Sequence, residues 1–597
     1  MTASSVDVLG WSIADHLAAR RRGVTAVSVV TAVLALLRDV DDPALLIGGP
    51  PFDVALEAAR AVDLLPVAGL ALHGVPFLVK DNIDVCGAVT TCGCPGFSSD
   101  PAVSDAAVVG RLRAAGAIPV GKTNLDQFAT GLVGTRSPYG TPRNPLDSSL
   151  VPGGSSSGSA VGVARGIVPF ALGTDTAGSG RVPAAMCGVV GLKPTVGRFP
   201  SVGMVPAVRR IDCPTVFARN VGDARLVASV AAGFLSTDPY SRSAGEVLPC
   251  VRTLGVLSAD SPVRATMHAD VQRAYDSVVS LARSSGYATV EVEVEPFLEA
   301  GRLLYGGTFV AERTAAVGLY LDGASISEGV DPTVGSIIRG GNTLSAVEAY
   351  RGEYRLAELR ALTLPTWDRV DSLLLPTTPG TASLAEVAAE PISVNAWMGT
   401  FTTFTNLLDL AAIAVPVGAR PDGLPFGVQL IGPAWSDEAL ADVAATLLGE
   451  PVDSAALRVG EVALVVVGAH LSGMALNSQL ISRGARLMRA TSTGPSYQLF
   501  ALAGTVPPKP GLRRVPSDGA SIAVEVWALS PSAFASFVVE VPPPLAIGSL
   551  ELADGTWVKG FVCEPGGLDN ATDITHFGGW RAYIASRSTM LAPGGTS

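Results

Sequence analysis

The sequence predicts an α/β fold in which helices cover both faces of a sheet, followed by a smaller α+β domain. The first observation is that apolar, strand-like runs alternate with segments of helical spacing through most of the chain. The second is a change of character near residue 450, after which a new strand, a helix and then turn-rich, strand-patterned sequence follow. The third is composition. Of 597 residues, 48% are apolar and only 16% are charged, so a large core is available and disorder is excluded as the main state.

Periodicity assigns the elements of the larger part of the chain in order. Apolar residues at helical spacing predict helices, and short apolar runs rich in branched residues predict buried strands. The predicted helices are 11–39, 53–64, 105–115, 263–285, 342–371 and 437–448, the predicted strands are 75–79, 118–120, 168–172, 373–375 and 413–415, and a Gly/Ser loop is predicted at 153–159.

A boundary between two domains is predicted just after residue 450. The helix at 437–448 is followed by Gly449 and Pro451, which are typical of a helix stop. A new strand at 462–467 and a helix at 473–485 begin the second part. We therefore expect a first domain at 1–450, a linker at 451–460 and a second domain at 461–597.

Charge and composition narrow the class of protein. The net charge of −11 disfavours nucleic acid and anionic membranes as partners. Seven irregularly spaced cysteines suit a reducing compartment, and five scattered histidines without a His-x-x-x-His pair predict no metal site. The N-terminus lacks the basic and apolar parts of a signal peptide, and the apolar run at 23–37 is too short to span a bilayer. A cytoplasmic protein is expected.

Lysine is rare in this chain, and one lysine stands out. Only five residues are Lys, and Lys80 closes the apolar strand at 75–79. Burial would lower its pKa, and a neutral amine can serve as a general base. The alternative is a lysine that extends from the strand end into solvent, and this motif alone does not decide between them.

Two serine-containing loops follow. The loop at 153–159 carries Ser155, Ser156 and Ser157, and it fits a linker or a helix cap as well as a catalytic loop. Small residues around Ser179 permit a tight turn that could aim backbone N–H groups at an oxyanion, although a plain turn is the alternative. Residues 154–158 also match a G-x-S-x-G nucleophile elbow with Ser156 as the nucleophile.

Taken together, the motifs at 74–85, 151–166 and 171–195 resemble the amidase signature family. The resemblance implies a mixed sheet covered by helices and a Ser-cisSer-Lys triad, without metal or cofactor. In that triad Ser179 is the nucleophile, Ser155 is the bridging serine after a cis peptide, and Lys80 is the base. The resemblance also implies an oxyanion hole built from the N–H groups of Thr176, Ala177, Gly178 and Ser179, on a loop held by Asp175 and Arg181.

Tyr305 and Arg313 are candidate substrate-binding residues. They lie eight residues apart in an apolar stretch, which on one continuous helix would place them on neighbouring parts of one face. Arginine can hold a carboxylate through two hydrogen bonds, and tyrosine can donate a third. The alternative is an ordinary surface pair of Glu312 with Arg313.

The C-terminal part carries a second resemblance. Residues 468–514 and 547–565 resemble the C-terminal domain of the allophanate hydrolase family, which is similar to the γ-glutamylcyclotransferase-like fold. The resemblance implies hydrolysis of allophanate to ammonia and carbon dioxide in urea degradation, with Tyr305 and Arg313 on the substrate carboxylate. His470 becomes a candidate for proton handling, and a strand-end histidine bonded to backbone groups is the alternative.

The expected partners come from the same resemblance. It implies functional coupling to a biotin-dependent urea carboxylase on a separate chain, because no Met-Lys-Met biotin-attachment motif occurs here, and it implies a homodimer. An alternative function is a broad-specificity amidase, or a tRNA amidotransferase-type amidase, with a non-catalytic C-terminal module.

Overall fold

The computed structural model describes residues 6–48, 52–67, 69–243, 245, 250–323, 329–452 and 461–590. The chain divides into two compact units. The first comprises 1–245 and 251–451, and the second comprises 246–250 and 452–597. Most of the predicted linker, 453–460, lies outside the described residues.

The first unit alternates helices and strands. Its helices are α1 Ile13–Arg21, α2 Ala26–Asp39, α3 Phe52–Asp63, α4 Ala107–Ala114, α5 Ser157–Ala164, α6 Val182–Cys187, α7 Val221–Ala231, α8 Ala269–Ser284, α9 Glu295–Gly306, α10 Val310–Gly323, α11 Pro332–Gly340, α12 Ala346–Trp367, α13 Leu384–Ala389, α14 Ser393–Met398, α15 Phe404–Leu407 and α16 Asp437–Leu448. Its strands are β1 Leu46–Gly48, β2 Pro76–Lys80, β3 Ile118–Thr123, β4 Phe170–Asp175, β5 Val190–Lys193, β6 Cys213–Ala218, β7 Thr253–Leu257, β8 Ala288–Val292, β9 Ser372–Pro376, β10 Leu410–Ala419 and β11 Pro425–Pro433.

These strands form one eleven-stranded mixed sheet in the order β1-β3-β2-β4-β6-β5-β10-β11-β9-β7-β8. Strand β2 pairs in parallel with β3 and β4, whereas β4 pairs antiparallel with β6. Every residue of β2, β3 and β4 is buried. Because alternate residues of a strand point to opposite faces, the middle of the sheet is covered on both sides. The predicted α/β fold is confirmed.

Four predicted elements differ from the structure. The helix expected at 263–285 begins only at α8 Ala269, because Pro262–Thr266 form a 3-10 helix that ends in extended backbone at Met267. The helix expected at 11–39 is two helices, because Gly23 between them has a φ of +92° that a continuing helix cannot accommodate. Helix α5 begins at Ser157, inside the expected loop. The helix expected at 473–485 is only the short α17 Asn477–Ile481, since Gly473 adopts a φ of +73° and residues up to Leu476 form turns.

The second unit has its own sheets and core. Five strands form a sheet in the order β13 (Arg486–Ser492), β16 (Ala523–Leu529), β12 (Val462–Val466), β18 (Trp557–Cys563) and β17 (Leu545–Glu551). Three strands form another sheet in the order β15 (Pro510–Arg514), β14 (Tyr497–Ala501) and β19 (Thr572–Asp573). The likeness of this unit to the γ-glutamylcyclotransferase fold stays a prediction. Its elements are β12 Val462–Val466, α17, β13 Arg486–Ser492, β14 Tyr497–Ala501, β15 Pro510–Arg514, β16 Ala523–Leu529, α18 Pro531–Val539, β17 Leu545–Glu551, β18 Trp557–Cys563, β19 Thr572–Asp573 and α19 Trp580–Met590.

In the described ranges, no helix combines the length and the apolar character that crossing a bilayer requires.

Candidate active site

Lys80 is fully buried at the carboxyl end of β2, in the middle of the sheet. Its Nζ donates to Ser155 Oγ at 2.7 Å and to Thr174 Oγ1 at 2.7 Å. Burial lowers the pKa of this ammonium from 10.5 to about 7, although Asp126 and Asp175 act in the opposite direction. Of the two readings of the sequence, the structure therefore favours the buried amine over a lysine that reaches solvent.

Ser155 follows a cis peptide bond with Gly154. The backbone here is packed too tightly for any side chain at position 154, since a Cβ there would lie 2.1 Å from Asp126 Oδ2. Asp126 in turn accepts from the amides of Gly134 and Arg136, and its own amide donates to the Ser155 carbonyl at 3.1 Å. These contacts fix the position of the Ser155 hydroxyl beneath the lysine.

Ser179 lies on the loop between β4 and α6, with its Oγ 3.5 Å from the Gly131 carbonyl oxygen. An ion pair buried at both partners holds this loop. Arg181 Nε donates to Asp175 Oδ2 at 2.9 Å, and Arg181 Nη2 donates to Asp175 Oδ1 at 3.0 Å. This geometry agrees with the tethering that the family resemblance implies for both residues.

The backbone amides of this loop divide into two groups. Those of Gly178 and Gly180 donate to the Asp175 carboxylate at 2.8 and 3.0 Å. The Gly178 amide is therefore occupied, which differs from its expected role in the oxyanion hole. Within the described ranges, the amides of Thr176, Ala177 and Ser179 have no protein acceptor, so these three are the better candidates for that role.

A close contact also explains the glycine at 178. Its φ is +130°, and a Cβ there would lie 2.2 Å from Thr402 Oγ1. The same hydroxyl donates to the Ala177 carbonyl at 2.8 Å. Thr402 thus holds the outer side of the loop, and only glycine permits that approach.

Thr176 is held by Asp212, a residue that no motif in the sequence marks. The Thr176 hydroxyl donates to Asp212 through a short hydrogen bond, and the amides of Ala207 and Val208 donate to the same carboxylate. Burial raises the pKa of Asp212 to about 6, against the effect of these donors and of Arg313. Its carboxylate thus fixes the first residue of the expected oxyanion hole.

Tyr305 and Arg313 are brought together, but not as one helical face. Tyr305 is near the end of α9 and Arg313 is in α10, and the chain breaks helical geometry at Gly307 between them. The prediction of a single helix is wrong. Contact is made because the two helices turn towards each other: Arg313 Nη2 donates to Tyr305 Oη at 3.1 Å, and the guanidinium lies over the ring at 4.8 Å.

Arg313 is buried, so it is not half of a surface pair. Glu312 is bonded to Arg210 instead, at 2.9 Å. Arg313 Nη1 donates to Thr130 Oγ1 at 3.1 Å, while its Nε is buried without a partner among the described residues. The Nε is thus a buried donor of the guanidinium that remains unpaired within the described residues.

Arg313 and Ser179 touch consecutive residues of one segment. Arg313 contacts Thr130, and the Ser179 hydroxyl contacts the carbonyl of Gly131. The guanidinium and the nucleophile candidate are thus both held against residues 130–131.

The structure does not favour Ser156 as a nucleophile. Its buried hydroxyl donates to the Thr174 carbonyl at 3.1 Å and accepts from the Thr174 amide at 3.2 Å. Both bonds fix the start of α5 on strand β4. Because the Ser156 hydroxyl is bonded to the backbone of Thr174, it is not positioned to act as the nucleophile that the elbow alternative requires.

His470 is in the second unit, just after β12. Its Nε2 bonds Gln479 Oε1 at 2.8 Å, its ring stacks on Phe561, and burial lowers its pKa. It lines a cavity of about 270 Å³ together with Lys509 and Glu540. The His470 ring is therefore hydrogen-bonded to a side chain in a pocket. This differs from the alternative of a strand-end histidine whose ring is bonded to backbone groups.

Comparisons with known proteins match both units. The model of the amidase family matches residues 51–441, and the model of the allophanate hydrolase C-terminal domain matches residues 462–585. A urea amidolyase of Saccharomyces cerevisiae is 43% identical over 545 residues, which cover 86% of this chain and 30% of the relative. The chain thus spans about a third of the length of the urea amidolyases that it matches.

Two further relatives add detail. The crystallised allophanate hydrolase of Kluyveromyces lactis has a TM-score of 0.84 and 39% identity, and the match covers 97% of this chain and 100% of that one. A glutamyl-tRNA(Gln) amidotransferase chain of Treponema pallidum is 35% identical, over 63% of this chain and 82% of the relative.

Proposed function

The chain belongs to the amidase family, and on that premise we propose that it hydrolyses allophanate with Ser179 as the nucleophile. The observation that carries the catalytic part is the 2.7 Å contact between the buried Lys80 amine and Ser155 Oγ. The observation that carries the substrate part is the buried Arg313, whose Nε has no partner among the described residues and which contacts the same chain segment as Ser179. The match to the allophanate hydrolase C-terminal domain supports the same substrate.

The proton path begins at Lys80. A pKa of about 7 leaves much of this amine neutral near neutral pH. Neutral Nζ accepts the proton of the Ser155 hydroxyl, and Ser155 accepts the proton of the Ser179 hydroxyl as that oxygen attacks the terminal amide carbonyl. Thr174 Oγ1, 2.7 Å from the amine, holds Nζ in place.

The negative charge that forms on the carbonyl oxygen is stabilised by the amides of Thr176, Ala177 and Ser179. Collapse of the tetrahedral intermediate breaks the C–N bond, and the protonated lysine returns a proton through Ser155 so that ammonia leaves. Water then cleaves the acyl-enzyme and regenerates the Ser179 hydroxyl. The product is N-carboxycarbamate.

Arg313 and Tyr305 bind the N-carboxylate of allophanate in this proposal. Guanidinium and carboxylate form strong charge-assisted hydrogen bonds, and the free Nε of Arg313 supplies a donor. Tyr305, already bonded to Arg313, orients the guanidinium. A substrate without the carboxylate would leave this buried cation unpaired, which makes the anion a requirement for tight binding.

The second unit completes the reaction. N-carboxycarbamate takes up water and loses one carboxyl group as bicarbonate, and the carbamate that remains breaks down to a second ammonia and carbon dioxide. His470 is the proposed proton-handling residue, and Lys509 beside it carries the positive charge that a dianion needs. Allophanate itself is supplied by a biotin-dependent carboxylation of urea, the coupling that the resemblance implies.

The decisive experiment is ammonia release from allophanate by the purified chain. We expect release to be lost in Ser179→Ala and retained in Ser149→Ala, an exposed serine whose side chain bonds Asp147. Absence of ammonia from the intact chain would contradict the proposal.

The alternative of a broad or amidotransferase-type amidase is separated by Arg313. We expect Arg313→Met to lower kcat/KM for allophanate by at least a hundredfold, with little effect on a neutral amide such as propionamide. A chain that hydrolyses neutral amides faster than allophanate, before and after that substitution, would favour the alternative. The amidotransferase relatives are the reason to test it.

The role of the second unit is tested by counting ammonia. His470→Ala is expected to release one ammonia promptly per allophanate, and the intact chain two. Gln479→Ala, which removes only the partner of the imidazole, is expected to keep both. Two ammonia from His470→Ala at the rate of the intact chain would make the second unit a non-catalytic module.

A further inference from the structure

A compact turn at residues 207–212 lies directly before strand β6, and we call it the 207–212 turn. The amides of Ile211 and Asp212 donate to the Val208 carbonyl at 3.0 and 3.1 Å, so the turn is closed by its own backbone. The first residue of β6 pairs with the last residue of β4. The turn is therefore attached to the strand from which the Ser179 loop emerges.

One side of the turn contacts the loop between β4 and α6. The buried Asp212 carboxylate accepts the short hydrogen bond from the Thr176 hydroxyl. The side chain of Asn406 joins the same two segments, since its Nδ2 donates to the Asp175 carbonyl at 2.8 Å and to the Ile211 carbonyl at 2.9 Å. These groups are buried, so a displacement of the loop from the turn would leave unpaired polar atoms away from water.

The other side of the turn contacts helix α10, which carries Arg313. The Arg210 amide donates to Glu312 Oε1 at 3.2 Å, and Arg210 Nε donates to Glu312 Oε2 at 2.9 Å. The same guanidinium lies 4.9 Å from the centre of the Phe309 ring, and it donates to Glu353 of α12 through a short hydrogen bond. The backbone and the side chain of Arg210 thus both hold the first turn of α10.

The contacts of Arg210 form a network and not an isolated surface pair. Isolated exposed ion pairs add little, but an arginine that is bonded to two carboxylates and packed on a ring defines a geometry. Glu312 directly precedes Arg313, whose buried guanidinium donates to Thr130 Oγ1 at 3.1 Å. By holding Glu312, the turn fixes the backbone from which the Arg313 side chain extends.

We propose that the 207–212 turn sets the position of Arg313 relative to Ser179, with Arg210 and Asp212 as its positioning residues. Arg210 acts on the helix that carries the cation, and Asp212 acts on the loop that carries the nucleophile. A substrate that must reach both groups is sensitive to their separation, because a displacement of about 1 Å can cost about a hundredfold in rate. A neutral amide makes no use of the cation. The kinetic consequences rest on the proposed hydrolysis of allophanate.

Arg210→Met tests the side of the turn that holds α10. We expect kcat/KM for allophanate to fall at least about tenfold, mainly through a higher KM, while kcat/KM for propionamide stays within about twofold. Arg209→Met, at the exposed neighbouring position, is the matched control and should change neither value. An unchanged KM for allophanate, or an equal loss on both substrates, overturns the positioning role of Arg210.

Asp212→Asn and Thr176→Val test the side of the turn that holds the nucleophile loop. Thr176→Val removes their shared hydrogen bond, while Asp212 keeps its two amide donors. Each variant should lower kcat at least about tenfold on allophanate and on propionamide, because both substrates use this loop. The double variant should lose no more than the weaker single variant, since one contact is removed. An unchanged kcat in Thr176→Val, or fully additive losses, overturns the role of Asp212.

Hydrogen exchange of the full-length chain tests the turn without any substrate. Arg210→Met should raise the exchange rate of the α10 amides at least about fivefold, and Arg209→Met should leave it unchanged. An α10 that exchanges at the same rate in Arg210→Met overturns the proposal, whichever amide the chain hydrolyses. An intact chain that releases no ammonia from allophanate would instead contradict the proposed function, so the two failures are distinguishable.

Discussion

Lys80 shows how burial sets the chemistry of a single residue. The same amine on a surface would be protonated at every physiological pH and could accept no proton. Removing it from water brings its pKa to about 7, and the hydroxyl of Ser155 at 2.7 Å gives it a proton to accept. The rare lysine of the strand end and the serine of the Gly/Ser loop thus act as one unit.

A pH profile follows from this environment. Because only the neutral amine serves as a base, kcat/KM for allophanate is expected to fall about tenfold for each pH unit below about 7 and to level off above it. Stopped assays between pH 5.5 and about 8.5 would measure the profile. A flat rate through this range would contradict the assignment of Lys80.

A substitution of Lys80 provides a second test of its role as the base. Arginine stays protonated at all these pH values, so Lys80→Arg should lower kcat by about a hundred- to ten-thousandfold. The exposed Lys559, whose Nζ bonds Ser549 in the second unit, offers a control: Lys559→Arg should leave kcat unchanged. An active Lys80→Arg chain would refute the proton path.

Sequence and structure agree most closely at such residues. The pattern at 74–85 places Lys80 at a strand end, and β2 does end there. Asp212 was missed for a physical reason. It lies beside Thr176 because β4 and β6 pair antiparallel with Asp175 opposite Cys213. These two residues are 38 positions apart, and the sequence of neither strand predicts the register in which the strands pair. The Asp212 segment itself has no motif that marks it.

At the scale of elements, the loop between β4 and α6 depends on one buried ion pair. Arg181 bonds both oxygens of Asp175, and Asp175 also accepts from two loop amides. Removing one partner leaves a buried charge without compensation. The loop geometry and part of the stability of the first unit therefore rest on the same contact.

Arg181→Met is accordingly expected to lower the free energy of unfolding by about 3–5 kcal/mol. The control is Arg143→Met, which removes the exposed pair with Asp41 and should change the free energy by less than about 1 kcal/mol. Urea denaturation followed by fluorescence would measure both. Equal effects of the two substitutions would show that the buried pair adds no stability.

The helices near the substrate show where periodicity misleads. Eight residues separate Tyr305 from Arg313, and that spacing suggested one helix. The structure has two, with Gly307 between them, and the contact survives because α10 turns back toward α9. The helical spacing of apolar residues does not show where a helix is interrupted. A glycine within an apolar stretch can end the helix and leave the apolar spacing almost unchanged.

At the scale of the whole molecule, each described hydrophobic cluster lies inside one unit. One cluster surrounds Leu78 in the first unit, and another surrounds Leu464 in the second. The change in sequence character near residue 450 predicts a boundary in this part of the chain, because a helix stop there is followed by a new strand and turn-rich, strand-patterned sequence. Two separate cores imply that damage to one need not abolish the chemistry of the other.

Paired core substitutions test this independence. Leu464→Ala and Leu78→Ala each remove a fully buried side chain and should cost about 2–5 kcal/mol in their own unit. We expect Leu464→Ala to preserve release of the first ammonia and reduce the second, and Leu78→Ala to reduce both. Equal loss of the first ammonia in the two variants would show that the units fold as one.

The buried amine of Lys80 also has a thermodynamic consequence for the fold itself. Unfolding restores the lysine to a pKa near 10.5, so between pH 7 and 10.5 the unfolded chain holds one more proton than the folded chain, and stability rises with pH across that window. Below pH 7 the shift opposes folding by about 5 kcal/mol. We therefore expect Lys80→Met to be inactive and yet to unfold at a higher temperature than the intact chain at pH 6, as thermal unfolding followed by circular dichroism would measure. In that case the amine that the chemistry requires makes the fold less stable.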